Sequence, residues 1–296
     1  MMNALELNDV SKSFGRVAAL EHVSYAAAPG SVFALLGENG AGKTTTIRIL
    51  LGLCEPDHGS ATVLGLDSRR DDLKIRSMVG YVPEQPILYD WMTVEELGRF
   101  TASFYPDGFL KRYAELIAEY ELPPCARIKT LSKGMRAKVS LALAVAPDPE
   151  LLILDEPTSG LDALVRREFL EGMVDRAATG RTVFLSSHQI AEVERVADTV
   201  AIMKKSRVLT VEPLEALKAN TRLLSLTFKE EASFRIPFAT VLDTQWQGRD
   251  GRFLGRDLAE GAEQRLAADP NVARFELKTP SLEEIFVAYM QYAEGG

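Results

Sequence analysis

The stretch Gly37-Glu38-Asn39-Gly40-Ala41-Gly42-Lys43-Thr44-Thr45 constrains this chain more than any other. A glycine, four free positions and then Gly-Lys-Thr is the spacing with which a backbone turn wraps a phosphate group. The flanks supply the context that such a turn requires. The apolar run Ser31-Val32-Phe33-Ala34-Leu35-Leu36 reads as a buried strand, and Thr45 to Gly52 reads as a helix stopped by glycine. The glycines let backbone N–H groups converge on phosphate oxygens, and the positive end of the helix dipole points the same way. In this arrangement Lys43 reaches the β- and γ-phosphates and the Thr44 hydroxyl serves Mg2+. The plain alternative is a glycine-rich turn with a solvated lysine; the strand and helix on either side speak against it.

Composition bounds the rest. The chain has 296 residues, 46% hydrophobic and 26% charged, enough for one large domain and a small one. Its net charge is −8, and the Arg69-Arg70 pair is followed at once by Asp71-Asp72, so no nucleic-acid partner is expected. Cys54 and Cys125 read as two reduced thiols of a cytosolic chain, although two can also pair. No basic stretch with an apolar core opens the chain, so no signal peptide is expected. No apolar run approaches the roughly 18 residues of a membrane helix.

Residues 3 to 36 alternate polar and apolar and predict antiparallel strands, with turns at Gly15 and Pro29-Gly30. Phe14, just before a turn, is either an edge-strand core residue or an aromatic for stacking on a base. Residues 84 to 146 turn helical. Thr93-Val94-Glu95-Glu96 is a capping box ahead of Leu97, Phe100 and Phe104; Leu110 to Tyr120 repeats at helical spacing; Ser132 to Ala146 is a third helix. This predicts a helical subdomain inserted into an α/β core, with further doubly wound α/β as the alternative. Leu151-Leu152-Ile153-Leu154 then reads as a central parallel strand, followed by a helix from Arg166 to Ala178, a strand at Thr182 to Ser187 and another at Thr199 to Met203. From about residue 221 the pattern changes to a small α+β unit. It has a hairpin turn at Gly248 to Gly251, a helix at Leu258 to Ala267, and a capped helix from Ser281 whose stripe is Leu282, Ile285, Phe286 and Tyr289.

Asp155 and Glu156 close the apolar run, at the strand end where α/β sheets bind ligands. Asp155 can hold a metal, and Glu156 can polarise an attacking water. The pair can also be a helix cap followed by a solvated acid; the apolar strand before it favours chemistry. His188 ends the next strand. A single histidine is more often structural, but this position puts it beside the same site.

Taken together, the chain resembles the ATP-binding subunit of an ABC transporter over residues 3 to 215. The phosphate loop, Asp155-Glu156, Ser159-Gly160-Leu161-Asp162 and Ser186-Ser187-His188 follow in family order. Leu131-Ser132-Lys133-Gly134-Met135 occupies the position of the signature that usually reads Leu-Ser-Gly-Gly-Gln. The resemblance implies a P-loop NTPase fold in residues 1–215, with an N-terminal antiparallel β subdomain and a helical subdomain at about 84–146. A small α+β accessory domain at 221–296 completes it. The cofactors implied are ATP and Mg2+, with Thr44 and Asp155 on the metal. The nucleotide lies on Phe14, the loop Gly37 to Thr45, Gln85, Ser132, Gly134 and Asp162, with Glu156 and His188 catalytic. The family's γ-phosphate-sensing glutamine falls at Glu84, with Gln85 one residue on, which leaves open which of the two faces the site. Further implied are a head-to-tail homo- or heterodimer, attachment to the cytoplasmic face of the membrane through a separate membrane subunit, and, from the C-terminal unit, export. The docking surface expected is the junction of Glu84 to Phe100 with the helical subdomain, with its cluster Pro86, Ile87, Leu88, Tyr89, Trp91 and Met92, unless those residues pack inside the subdomain. The rival functions are a soluble ABC ATPase acting on nucleic acid or ribosomes, which usually carries basic arms or two cassettes, and a regulatory nucleotide-binding protein without turnover.

Overall fold

The computed structural model describes residues 2–229 and 236–292. From the N-terminus run β1 (Leu5–Phe14), β2 (Val17–Ala27), β3 (Val32–Gly37), α1 (Lys43–Leu50), β4 (His58–Val63), β5 (Leu66–Asp67), α2 (Asp72–Met78) and β6 (Val79–Val82). The helices α3 (Val94–Ala102), α4 (Phe109–Glu119) and α5 (Lys133–Val145) follow, with a short 3-10 turn at Ile128–Thr130. Alternation resumes in β7 (Leu151–Asp155), α6 (Ala163–Ala178), β8 (Thr182–Ser187), α7 (Ile190–Val196), β9 (Thr199–Lys204) and β10 (Arg207–Pro213). The remainder is α8 (Leu214–Asn220), β11 (Thr221–Phe228), β12 (Phe238–Gln247), β13 (Asp250–Leu258), α9 (Ala262–Ala268), β14 (Val272–Lys278) and α10 (Leu282–Tyr292).

The chain forms two compact units that part between Val211 and Glu212, a few residues before the boundary read from the sequence. In the first, a six-stranded sheet of order β10-β9-β3-β8-β7-β6 carries parallel pairings across β9, β3, β8, β7 and β6. Strands β3, β7 and β8 are buried at every residue, as strands covered on both faces must be. The register pairs Leu36 with Ser187 and Asp155 with Ser186, so the carboxyl ends of β3, β7 and β8 share one edge. At that edge β7 ends in Asp155 and β8 in Ser186 and Ser187, and the glycine-rich turn follows β3.

A second, four-stranded sheet, β2-β1-β4-β5, is antiparallel. Helix α1 lies in the core that the two sheets share. Its Ile47, Ile49 and Leu50 are fully buried in one cluster with Leu5, Val23 and Phe33. Tyr25 of the antiparallel sheet stacks on Phe33 at 5.1 Å, and Phe33 on Phe184 at 5.6 Å between ring centroids. At about 25 cal/mol per Å2, burial of these aromatics contributes several kcal/mol and ties the antiparallel sheet to the parallel one.

The helical stretch forms as the sequence predicts, with differences in its surface. Thr93 and Glu96 close the capping box with hydrogen bonds of 3.2 and 2.8 Å. Leu97 is buried, but Phe100 and Phe104 are exposed, so their spacing marks a surface row and not a core stripe. Helix α6 starts at Ala163, three residues before the expected start, because Asp162 caps it by accepting from Leu164 and Val165 N–H. Both cysteines are free thiols.

The second unit is an antiparallel sheet of order β12-β13-β11-β14. One face packs Leu224, Leu226, Phe228, Phe238 and Phe253 against Leu266 of α9. The segment Leu258 to Ala267, expected to be one helix, ends β13 at Leu258 and turns through Gly261 before α9 begins at Ala262. Helix α10 buries Leu282, Ile285, Phe286 and Tyr289, and Ser281 and Glu284 form its cap. Arg256 clasps Glu212 with both terminal nitrogens and donates to the Tyr289 hydroxyl at 2.8 Å, so that the first residue of the unit is held by its sheet and its last helix. Phe253→Ala is expected to cost about 3–5 kcal/mol, the usual price of deleting a buried aromatic ring. In hydrogen-exchange measurements the loss should be confined to amides of residues 212–292; loss spread evenly over the chain would contradict the division into two units.

Candidate active site

The turn after β3 is shaped by glycine. Gly40 and Gly42 have φ of +83° and +111°, where L side chains are strained. A Cβ on Gly42 would lie 2.5 Å from the Ala19 carbonyl oxygen, and one on Gly37 would lie 2.8 Å from that of Met203. Gly42 is the N-cap of α1 and offers no side chain to its first N–H groups, and no acidic residue sits in the first turn. A helix start without its own cap, preceded by a left-handed turn, is a set of donors that an anion can satisfy.

Lys43 is the first residue of α1, and only 6% of it is exposed. Its Nζ donates to the carbonyl oxygens of Gly37 at 2.6 Å and Glu38 at 3.3 Å. It also stands 3.0 Å from Glu156 Oε1, a charge contact without hydrogen-bond alignment. Glu156 is equally buried, at 6% exposure, and takes a left-handed φ of +49°. That turn swings its carboxylate off the line of β7. Its other oxygen, Oε2, lies 2.7 Å from His188 Nδ1 and accepts from the His188 backbone N–H at 3.2 Å. Asp155, one residue earlier and 1% exposed, accepts from Ser186 Oγ at 2.5 Å through Oδ1. Its charge also reaches Tyr81 of β6, whose hydroxyl is pushed up to about 12 by burial and by that carboxylate. One row thus runs from α1 through the ends of β7 and β8: ammonium, carboxylate, imidazole. It holds a strong acceptor beside an anion cradle, with the ammonium and carboxylate buried and the imidazole exposed.

The donor set also suits a divalent cation. The Thr44 hydroxyl, half-buried, and the Asp155 carboxylate are hard oxygen donors. No group of three or more His, Cys, Asp or Glu among the described residues could hold a metal. Two protein oxygens fit Mg2+, which keeps most of its shell for water and phosphate.

The other expected site residues lie apart from this row. Phe14, at the end of β1, is half-exposed, with Lys12 Nζ 5.5 Å above its ring. Glu84 and Gln85 both follow β6 as exposed residues, and neither makes a hydrogen bond or ion pair with Lys43, Asp155 or Glu156. Ser132 caps α5 by accepting from Met135 N–H at 3.2 Å, and its neighbour Gly134 is buried where a Cβ would meet Val165 at 3.2 Å. Lys133, which with Met135 departs from the family signature, has its Nζ 2.2 Å from where a Cβ of Gly160 would be. The signature turn and the loop from Ser159 to Asp162 are therefore neighbours, with Ser132 and Asp162 exposed. A further set, absent from the sequence reading, lies behind that loop: Thr158, Arg166 and Glu192. Thr158 and Glu192 are 34 positions apart, and no local pattern joins them.

The sequence model for "ABC transporter" matches residues 20–159, and that of an AAA domain matches residues 126–194. An ABC transporter ATP-binding protein of Synechocystis sp. is 31% identical over 98% of this chain and 85% of its own length. The Nod factor export ATP-binding protein I of Rhizobium etli is 35% identical over 70% of this chain and 67% of its own. Among solved structures, an ATP-binding subunit of an ABC transporter is 34% identical and superposes with a TM-score of 0.68, covering 73% of this chain and 92% of that one. A relative matched nearly end to end, on a fold whose strand ends gather a phosphate loop with Asp155, Glu156 and His188, fixes the family: the chain belongs to the ATP-hydrolysing ATP-binding proteins of ABC transporters.

Proposed function

We propose that Lys43, Thr44, Asp155, Glu156 and His188 bind and hydrolyse ATP, and that the energy released works a separate membrane subunit. The observation that carries this reading is the row Lys43–Glu156–His188 at the mouth of the phosphate loop, its ammonium and carboxylate buried and its imidazole open to solvent. The loop N–H groups and Lys43 hold the β- and γ-phosphates. Thr44 and Asp155 would hold Mg2+, which supplies positive charge against the phosphate oxygens when bound. Glu156 accepts a proton from the water that attacks the γ-phosphorus, and the bond to the β-phosphate oxygen breaks. His188 keeps the Glu156 carboxylate turned toward that water. Phe14 offers its exposed face to the adenine ring, and Gln85 is the neutral candidate for sensing the γ-phosphate.

Ser132, Gly134 and Asp162 touch none of these groups in their own chain. Residues that complete a site in a second copy would be so placed, and we assign them to ATP bound by the other member of a homo- or heterodimer. Attachment to the membrane then comes through protein. Among the described residues no helix is long and apolar enough to cross a membrane. Trp91, 67% exposed, and Phe104, 71% exposed, belong to a ring series with Tyr89 and Phe100 whose centroids are 5.3–6.1 Å apart. Such an exposed aromatic row is the composition of an interface core, and its occupant in this reading is the membrane subunit on the cytoplasmic face. The Nod factor relative is named for export, which supports the same direction here.

Two tests follow from these assignments. Glu156→Gln should lower ATP turnover by about 10²–10⁴, because an amide cannot accept the proton. The same change removes the carboxylate that competes with phosphate for Lys43, so ADP affinity measured by calorimetry should rise roughly tenfold, about 1.4 kcal/mol. Turnover above about half of wild type would overturn the role of Glu156. Trp91→Ala should leave the melting temperature and basal turnover near wild type while co-purification with the membrane subunit is lost. Unfolding, or unchanged co-purification, would remove the aromatic row as the docking surface.

A further inference from the structure

Glu192, on α7 four residues after His188, is 7% exposed and takes no part in the row just described. A buried carboxylate is costly unless it is paired and hydrogen-bonded. Its two oxygens go to two different elements. Oε2 accepts from Thr158 Oγ1 at 2.5 Å, and Thr158, 2% exposed, is the second residue after Glu156. Oε1 lies 3.0 Å from Arg166 Nε, in the first turns of α6. The Arg166 guanidinium in turn donates to the Leu161 carbonyl at 3.1 Å.

The segment so held runs from Glu156 to Asp162. Within itself it has turn bonds, Ser159 N–H to the Glu156 carbonyl and Leu161 N–H to that of Thr158, both 3.1 Å. Its first residue is tied to β8 through the Glu156 N–H and the Ser186 carbonyl at 3.0 Å. Its last residue caps α6. Lys133 lies over its outer side at Gly160. The charge-assisted hydrogen bond that fixes its inner side comes from Glu192, and such bonds are about twice as strong as neutral ones.

We propose that Glu192 is a positioning residue, holding the loop Pro157–Asp162 in fixed register with the loop that carries His188. Its helix begins two residues after His188, so a single carboxylate refers both the segment after Glu156 and the start of α6 to the imidazole that faces Glu156. Loss of this tie leaves the phosphate loop and Lys43 untouched, and it alters the placement of Glu156 and Asp162. The proposal rests on the hydrolytic reading above for its kinetic consequence, and stands on the contacts alone for its structural one.

The test uses the full chain with Glu192→Ala, Glu192→Gln, Thr158→Ala and the double variant Thr158→Ala/Glu192→Ala. The kinetic arm expects kcat for ATP to fall at least tenfold in Glu192→Ala with KM within about threefold. The double variant should lose no more than Glu192→Ala alone, since that change already removes the bond to Thr158. Glu192→Gln, which keeps an acceptor for Thr158, should recover part of the loss and serves if the alanine variant does not fold. Amide exchange gives a readout that needs no turnover: Ser159 and Leu161 should exchange at least tenfold faster in Glu192→Ala, with amides of α1 unchanged. Additive losses in the double variant, KM rising in step with falling kcat, or unchanged exchange at Ser159 and Leu161 would overturn the proposal. A wild-type chain without ATP turnover would instead overturn the hydrolytic reading, and the exchange result would still decide the role of Glu192.

Discussion

One ammonium group organises the first unit. Lys43 Nζ donates to two carbonyls of the loop before it and faces, as a charge contact, the carboxylate at the end of β7. A lysine so deep carries a desolvation cost that only close partners offset. The loop can supply its carbonyls because Gly40 and Gly42 take up left-handed angles. The carboxylate arrives because β7 lies one strand from β8 and two from β3, in a register that brings their ends level. Sheet order, loop conformation and the angle at Glu156 are thus all conditions on one contact.

That contact is only as rigid as α1. The helix is eight residues long, too short to hold its shape in water unaided. It is held by being buried on both sides, with the antiparallel sheet above it and the parallel sheet below. The aromatic stack from Tyr25 to Phe184 lies in the same cluster. The N-terminal sheet therefore does two things at once. It covers the helix, and its first strand ends in Phe14, whose ring is half-exposed.

Much of this was legible in the sequence because the signals are local. The phosphate loop, the apolar strands and the Thr93 and Ser281 caps each announce themselves within a few residues, and Asp155, Glu156 and His188 were placed by ending such strands. Local signals run out where burial decides. Phe100 and Phe104 have helical spacing whether they face a core or solvent. Leu258 to Ala267 has an apolar content that serves a strand end and a helix equally, and the left-handed Gly261 separates the two. Asp162 was read for ligand binding and also serves as a helix cap, which moves the start of α6. The least legible feature is the tie between Thr158 and Glu192. It joins two loops that only the order of the sheet makes adjacent, and neither residue stands in a pattern of its own.

Glu156 pays for its position in backbone energy. An L residue with a left-handed φ gives up about 1–2 kcal/mol relative to a right-handed one, and glycine would give up almost none. Chemistry and conformational ease are therefore opposed at this one residue. Glycine at this position would ease the backbone while leaving the buried Lys43 ammonium short of its charge partner, so the two effects on the fold oppose each other.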